Sequence, residues 1–277
     1  MSGRQRWFPD HAAARASLYV LAAIALLAVI GPALSPWRFD QLDWAELAIA
    51  PGTAGRHWFG TDRLGRDLFV RTLAGVRVSL AIGLLATLVS LMIGVTWGAI
   101  AGFAGGRVEA LMMRIVDVLY SLPYVFFVIL LTVTLGRTPS TLFVAIGAVG
   151  WLTMARVVRI QAESLRHREF IEAAIALGVP TWRILARHVL PNLAGAVLVY
   201  ATLTVPGMIL IESFLSFLGL GVQEPAASLG NLMAQGAADM EAAPWMLLVP
   251  CTFLVAIVLA LGFVGDGLRD VLDPRER

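Results

Sequence analysis

Long apolar stretches separated by short polar segments dominate this chain of 277 residues. Asp, Glu, Lys and Arg are absent from six intervals, which cover residues 16–37, 78–106, 118–136, 138–155, 188–211 and 242–265. A helix that crosses the hydrocarbon core of a bilayer needs about 18 or more apolar residues, and each interval reaches that length. The pattern predicts an all-α membrane protein with six transmembrane helices.

The same pattern divides the chain into tails, loops and a core. We expect a polar tail over 1–15, a first transmembrane helix over 16–37 and a long loop over 38–77. A core of five further helices over 78–265 and a second tail over 266–277 complete the prediction. The first apolar interval is longer than the roughly 7–15 residues of a signal-peptide core, so we expect an uncleaved helix there.

Arginine positions predict the orientation of these helices, because basic residues near the ends of spans are retained on the cytoplasmic side. With both termini inside, 14 of the 21 arginines fall in inner segments, and six of these lie between residues 156 and 187. The loop from Glu212 to Glu241 carries no basic residue, as expected of an outer loop. We therefore predict a multi-pass protein with both termini in the cytoplasm and an extracytoplasmic loop over 38–77.

The segment that leads into the second apolar interval has helical spacing. Leu64, Leu68, Arg71, Gly75 and Val78 recur at helical spacing. This spacing predicts an amphipathic segment that lies along the membrane surface before the chain enters the bilayer.

Small residues and turn residues predict how the helices pack. Gly83, Gly94 and Gly98 lie in the second apolar interval. Small residues let helix backbones approach closely in lipid, so we expect this helix inside the bundle. A turn at 105–106 and a short one containing Pro139 predict close antiparallel neighbours.

Composition narrows the classes of function. Hydrophobic residues make up 58% of the chain and charged residues make up 14%. A soluble domain usually carries about 25% charged residues. All 21 basic residues are arginine. The chain therefore lacks the lysine that a Walker A loop or a Schiff-base enzyme needs.

Two further observations exclude other classes. The net charge of +2 is too small to indicate nucleic-acid binding. A metalloprotease His-Glu-x-x-His motif, a Gly-x-Ser-x-Gly motif and paired intramembrane aspartates are also absent. We therefore predict no enzyme and no catalytic residue.

A segment between the fourth and fifth apolar intervals, residues 156–191, is too long for a simple turn. Glu169 and Glu172 favour the start of one short helix, where the helix dipole attracts carboxylates, and Gly178 favours its end. Pro180 suits the start of a second helix over Thr181 to Leu190. We expect Pro191 to end this second helix. Four of its apolar side chains are available to anchor it to the bundle: Trp182, Ile184, Leu185 and Val189. Ala173, Ala174 and Ala176 make the first helix smooth enough to enter a groove on another protein.

Three further groups of polar residues allow more than one interpretation. Asp117 either has a role at membrane depth or, as we prefer, pairs locally with Arg114. Glu212 either belongs with Ser213 and Ser216 to an outer constriction, where glycines let the chain re-enter a protein-lined cavity, or caps the helix in water.

His57, Asp62 and Asp67 form the third group, which offers the donor atoms of a metal site. Three potential ligands in one loop do not make a coordination sphere, so we expect a structural or partner-docking role and no metal or other cofactor on this chain.

Four motifs along the chain resemble one known family. In chain order they are His57-x-x-Gly60-Thr61-Asp62-x-x-Gly65-Arg66-Asp67 with Arg71, Gly75, Arg77 and Ser79; Glu172-Ala-Ala-x-x-x-Gly178 followed by Leu190-Pro191; Glu212 to Gln223; and Gly265 to Pro274. The motif that starts at Glu172 resembles the EAA loop of binding-protein-dependent ABC importer permeases. The set resembles the dipeptide, oligopeptide and nickel group of these permeases, and within it the second, C-type subunit.

The resemblance implies a type I, MetI-like permease bundle in a bacterial inner membrane. Two homologous permeases would form the pathway as a heterodimer, two ABC ATPases carrying ATP and Mg²⁺ would dock on their coupling helices, and an extracytoplasmic solute-binding protein would deliver the solute. It further implies that Glu172, Ala173, Ala174 and Gly178 couple to the ATPase.

The cargo stays open between peptides, as first choice, and nickel or another nutrient. This sequence departs from the group's usual pattern at Val70, Ala226, Leu229 and Gly262. These departures concern the residues of the expected outer gate. A stand-alone secondary transporter or channel is the remote alternative, and it would transport without any ATPase.

Overall fold

A computed structural model describes residues 12–52 and 57–272 of the chain. Within those two ranges the regular structure is helical, apart from one isolated β-bridge between Thr61 and Asp67. The helices are α1 (Ala12–Leu34), α2 (Leu68–Ala104), α3 (Gly106–Tyr120), α4 (Tyr124–Leu135), α5 (Pro139–Arg166), α6 (Glu169–Ala176), α7 (Thr181–Ile184), α8 (Leu190–Phe217), α9 (Leu229–Ala238) and α10 (Trp245–Leu272). A π-helical segment, Leu185–Val189, joins α7 to α8.

Five continuous helical stretches in the described part of the chain are long and apolar enough to cross a membrane: α1, α2, α5, the α7–α8 stretch and α10. A sixth crossing is formed if α3 and α4, which meet at 82°, count as one broken span. The fold class is confirmed. The helix expected over 118–136 is broken into α3 and α4, because Pro123 lacks an N–H and disfavours helical geometry in the residue before it.

The helix α2 lies at the centre of the bundle and packs along α5. A Cβ on Gly98 would lie 2.5 Å from the carbonyl oxygen of Ala155 and 2.8 Å from Val158, and one on Gly94 would lie 2.6 Å from Met154. Only glycine lets the two backbones approach this closely. The predicted interior position of this helix is confirmed, as is the turn at Gly105, where φ is +66°.

Apolar side chains from most of the long helices fill the bundle. One group joins α2, α5 and α8 around Ala86, Ile146 and Leu215. A second group joins α1, α2, α8, α9 and α10, with Val76 and Ile257 at its centre. These contacts hold the C-terminal half of α8 against the rest of the bundle.

The first turns of α2 differ from the expected surface segment. Asp67 caps the helix through a hydrogen bond from the Val70 N–H to its side chain at 2.8 Å, and the helix continues without a break to Ala104. Leu68, Phe69 and Arg71 are buried. The prediction was wrong because the face that carries Leu68 and Arg71 packs inside the bundle, where Arg71 lies beside the Asp62 carboxylate.

Most of the segment over 156–191 belongs to long helices. Here α5 continues to Arg166, and the stretch from Thr181 continues through the π-helical segment into α8. Pro191 therefore does not end a helix. The π-helical turn, in which the Leu190 N–H donates to the Leu185 carbonyl, accommodates the proline without a break. The connection that lies outside the long helices is short, from residue 167 to 180, and α6 lies within it.

Candidate functional site

The short helix α6 is held against the bundle by two inward-facing side chains. Ile171 and Ala174 are spaced three residues apart and are buried in one apolar group with Phe103 and Val158. The same group includes Ile184 and Val189 from the stretch after α6. This end of the molecule is therefore a packed unit in which α6 is tied to α2, α5 and the start of α8.

A tight backbone motif ends α6. The Gly178 N–H donates to the Ile175 carbonyl at 2.9 Å, and the Val179 N–H donates to the Ala174 carbonyl at 3.1 Å. Gly178 has φ of +75°, which glycine adopts without the strain that a Cβ would bring. The predicted short helix, with Glu169 and Glu172 in its first turn and Gly178 at its end, is confirmed as α6.

Opposite this buried side, α6 and its neighbours expose apolar side chains. Leu177 is 82% exposed, Trp182 is 65% exposed, and Phe170 and Ile175 are about half exposed. We call these four residues, together with the exposed Glu172 and Ala173, the α6 surface. Apolar patches of this kind mark contact sites on proteins.

Two details of the predicted docking helix change. Ala174 is only 8% exposed and faces the bundle, so the smooth outward side is formed by Ala173 and Ala176. Of the four expected anchors, Ile184 and Val189 are buried and Leu185 is partly buried, but Trp182 faces outward. Trp182 was assigned wrongly because hydrophobicity alone does not separate a core contact from an exposed contact surface.

Charged residues line a cavity of about 520 Å³ between α3 and α5 at the same end. Asp117 pairs with Arg156 at 2.8 Å, and Glu109 pairs with Arg159. The preferred local pair of Asp117 with Arg114 was wrong. Nothing in the sequence points to the observed pairs, since the partners are 39 and 50 residues apart and meet only when α3 folds against α5.

Glu212 lies near the opposite end of the bundle and is fully buried. Its carboxylate accepts hydrogen bonds from Ser79 at 2.7 Å, Ser216 at 2.8 Å and Ser213 at 3.3 Å. The interpretation as a water-exposed cap was wrong.

The chain turns back after α8 and packs against the buried cluster around Glu212. Gly219 has φ of +75°, and the backbone N–H of Leu229 donates to the Ser79 hydroxyl at 3.2 Å. Ser228 and Asn231 cap α9 reciprocally. Where the segment departs from the usual family pattern, Ala226 is partly buried and Leu229 is buried, whereas Gly262 faces open space. The role of Glu212, Ser213 and Ser216 at an outer gate stays a prediction.

A second buried polar cluster joins the α1–α2 loop to the α8–α9 loop. Arg66 donates to Asp62 at 2.6 Å and to Glu224 at 3.1 Å, and Arg71 lies 3.4 Å from the same Asp62 carboxylate. The hydrogen bond from Arg66 lowers the pKa of Glu224 below its ordinary range. Burial opposes the charge of Arg66, but hydrogen bonds from its guanidinium to Glu224 and Asp62 more than offset this and raise its pKa.

The loop motif from His57 to Asp67 is held together by its own side chains. His57 Nδ1 lies 2.7 Å from Asp67, which also caps α2, while Asp62 accepts backbone N–H groups of Leu64 and Arg66. Asp62 and Asp67 therefore have structural roles, and they do not share one metal site with His57.

Comparison with known proteins agrees with this architecture. The family described as "Binding-protein-dependent transport system inner membrane component" matches residues 94–277. The chain is 48% identical to the oligopeptide transport system permease protein OppC of Haemophilus influenzae, covering 100% of this chain and 91% of the relative. It is 50% identical to OppC of Escherichia coli K12, covering 100% and 94%. The dipeptide transport system permease protein DppC of Bacillus subtilis is 44% identical, over 95% of this chain and 82% of the relative.

A chain from inward-facing structures of the MetNI methionine ABC transporter has the same fold. It superposes with a TM-score of 0.59 over 74% of this chain and 96% of that chain, at 20% sequence identity. The bundle, the short helix α6 and the match across the C-terminal two thirds lead to one conclusion: the chain belongs to the family of inner-membrane permease components of binding-protein-dependent ABC importers.

Proposed function

We propose that this chain forms part of the translocation pathway of an ATP-driven importer of oligopeptides or dipeptides, and that α6 transmits the motion of a separate ATPase to the pathway. The similarity to oligopeptide and dipeptide permeases along the whole chain carries the choice of cargo. The anchored α6 with its exposed apolar side carries the coupling role.

The α6 surface suits a docking partner because its apolar residues stand on a rigid base. Phe170, Ile175 and Leu177 face outward while Ile171 and Ala174 fix the helix to α5 and α8. A displacement of α6 is therefore passed to those helices as a rigid-body motion. In this proposal Glu172 and Ala173 contact the ATPase, Ala174 holds the helix to the bundle, and Gly178 sets its end.

The proposed complex contains further subunits. A second homologous permease completes the pathway as a heterodimer, two ABC ATPases bind ATP and Mg²⁺, and a solute-binding protein supplies the cargo from outside. The absence of lysine supports the division of labour, because this chain cannot form a Walker A loop. The arginine distribution supports cytoplasmic termini and a position of α6 where ATP is available.

Glu212, Ser213 and Ser216 are proposed to hold the outer gate together. Glu212 links α2 to α8 through Ser79, and the α9 segment rests on the same serine. Glu212→Ala is expected to reduce transport without reducing ATPase capture, because α6 lies at the other end of the bundle. Loss of ATPase capture in this variant would contradict a role confined to the gate.

A cysteine scan of α6 tests the coupling role. In a Cys251→Ala background, which removes the single native cysteine, a cysteine is placed at Ala173 or Ala174 of the assembled complex. A photo-activatable crosslinker attached to that thiol should capture an ATPase from the exposed Ala173 position and far less from the buried Ala174 position. Equal capture from both positions, or from neither, would contradict docking on the outward side of α6.

Reconstituted transport tests the cargo. The complete complex in vesicles, with ATP on the side of α6 and the binding protein on the opposite side, should transport labelled dipeptides or longer peptides. Uptake of a non-peptide solute alone would refute the peptide assignment but leave the importer intact. Uptake that persists without the ATPases would contradict the importer mechanism itself.

A further inference from the structure

Three potential metal ligands converge in the α1–α2 loop. Asp43, Glu46 and His57 each offer one ligand atom, and these atoms all lie within 4.8 Å of one another. The sequence pattern grouped His57 with Asp62 and Asp67, which serve other purposes. Asp43 and Glu46 reach His57 only because the loop folds back, through backbone hydrogen bonds from Ala48 to Asp62 and from Thr61 to Ile49.

His57 is held in a fixed orientation. It is only 2% exposed, Trp37 stacks on its ring at 4.5 Å, and its Nδ1 lies 2.7 Å from Asp67 Oδ2. When Nδ1–H donates to a carboxylate, the neutral ring presents a lone pair at Nε2. A carboxylate behind the imidazole is the usual support of a histidine that binds a metal through its other nitrogen.

The free side of His57 points at a second buried acceptor. Nε2 lies 3.2 Å from Glu46 Oε2, yet the two atoms are not aligned for a hydrogen bond, and neither finds a hydrogen-bond partner among the residues that the structure describes. Two ligands bound at about 2.0–2.1 Å to a tetrahedral zinc ion lie roughly 3.3 Å from each other. The observed separation is that of two ligands on one metal.

We propose that Asp43, Glu46 and His57 bind a divalent transition metal ion of the zinc type. An imidazole ligand favours zinc and its neighbours over Ca²⁺ or Mg²⁺, which prefer oxygen alone. Asp43 and Glu46 are partly exposed, so water can take the remaining position. The ion would tie the segment around Asp43 to the cap of α2. This site is independent of the proposed cargo and of coupling at α6.

A direct ion pair between a doubly protonated His57 and Glu46 is the competing explanation for the 3.2 Å separation of Nε2 and Oε2. This ion pair needs no metal, so it predicts that the chain binds no stoichiometric zinc. The test therefore measures bound metal in the full chain, purified with its partner subunits, stripped with a chelator and then dialysed against Zn²⁺.

Metal analysis should find about one zinc ion per copy of this chain. The variants Glu46→Gln and Asp43→Asn should each lose this ion. Both substitutions keep the size of the side chain, and the amide oxygen that Asp43→Asn introduces can still accept the Ala45 N–H. Asp67→Asn keeps an N-cap acceptor for α2 but weakens the support of His57, so zinc affinity should fall roughly 10–100-fold. Asp40→Asn, which changes an exposed carboxylate of the same loop, is the matched control and should bind zinc normally.

The melting temperature gives an independent readout. Zinc should raise it for the natural chain and for Asp40→Asn, but not for Glu46→Gln or Asp43→Asn. Absence of stoichiometric zinc in the natural chain would overturn the proposal, whatever the variants do. Zinc binding that survives both Glu46→Gln and Asp43→Asn would also overturn it. Should one variant fail to assemble, the other carries the comparison.

Discussion

Arg71 is fully buried in the first turn of α2, where an unpaired charge would be costly. Its guanidinium lies 3.4 Å from Asp62 and 3.8 Å from Glu224, and it donates to the Phe39 carbonyl at 3.3 Å. Each contact comes from a different part of the chain. A single buried arginine thus contacts both the α1–α2 loop and the α8–α9 loop and holds them against the start of α2.

Glu224 gives this cluster a pH dependence. Because its folded-state pKa is lowered below the ordinary 4.5, the ion pair stabilises the fold above that value, and its contribution is lost as pH falls through the folded pKa. Glu224→Gln should therefore lower the melting temperature near pH 7, and the difference from the natural chain should shrink as the pH falls through the lowered pKa of Glu224. A difference that stays constant with pH, or the same profile in the exposed Glu241→Gln control, would contradict the assignment.

At the scale of single elements, α6 depends on how it ends. Gly178→Ala places a Cβ at φ of +75°, where the side chain meets no other atom within 4 Å. The cost is therefore conformational and about 1–2 kcal/mol. Hydrogen exchange of the α6 amides should then rise roughly 5–30-fold. Gly195→Ala is the control, since Gly195 lies in helical backbone of α8 and also faces open space. Unchanged exchange in Gly178→Ala would show that α6 does not depend on its terminal motif.

The contact between α2 and α5 depends on glycine for a different reason. In Gly98→Ala the new methyl group would lie 2.5 Å from a backbone oxygen of α5, which cannot move without the helix. We expect a loss of about 1–3 kcal/mol and a lower melting temperature. Gly262→Ala in α10 meets nothing within 4 Å and should leave stability unchanged or slightly raised. Equal effects of the two substitutions would mean that close packing does not limit this contact.

At the scale of the whole molecule, the two ends of the bundle have different characters. Buried polar clusters around Glu212 and Arg71 close one end, while the other end exposes the apolar α6 surface. The long helices α2, α5 and α8 connect them. This arrangement fits the proposed function, in which a partner's motion is received at the α6 end and changes the opening of the pathway at the other end.

Leu177 separates docking from folding in this arrangement. Its side chain is largely exposed. Leu177→Ser should therefore change the free energy of unfolding by less than about 0.5 kcal/mol. We expect weaker ATPase capture and slower ATP-driven transport. Leu42→Ser, which changes an exposed leucine in the α1–α2 loop, should leave ATPase capture unchanged. A large loss of stability in Leu177→Ser, or undisturbed capture, would contradict the role of the α6 surface.

The sequence by itself determined the class of fold, the ends of α6 and the family. These properties rest on local signals: the length of apolar intervals, the dipole preference of Glu169 and Glu172, and the positive φ that suits Gly178. Such signals depend on residues close together in the sequence, so they can be read without knowing which distant segments pack together. Even here Pro123 turned one expected helix into a bent pair, and Pro191 failed to end another.

Only the tertiary structure decided which of these residues face each other. The burial of Ala174, the exposure of Trp182, the pairing of Asp117 with Arg156 and the approach of two loop carboxylates to His57 all depend on contacts between distant segments. Apolar patterning reports that a side chain avoids water, and charge spacing reports local neighbours. Neither specifies whether the apolar contact is the bundle, the lipid or a partner, because that is settled by the packing of whole helices.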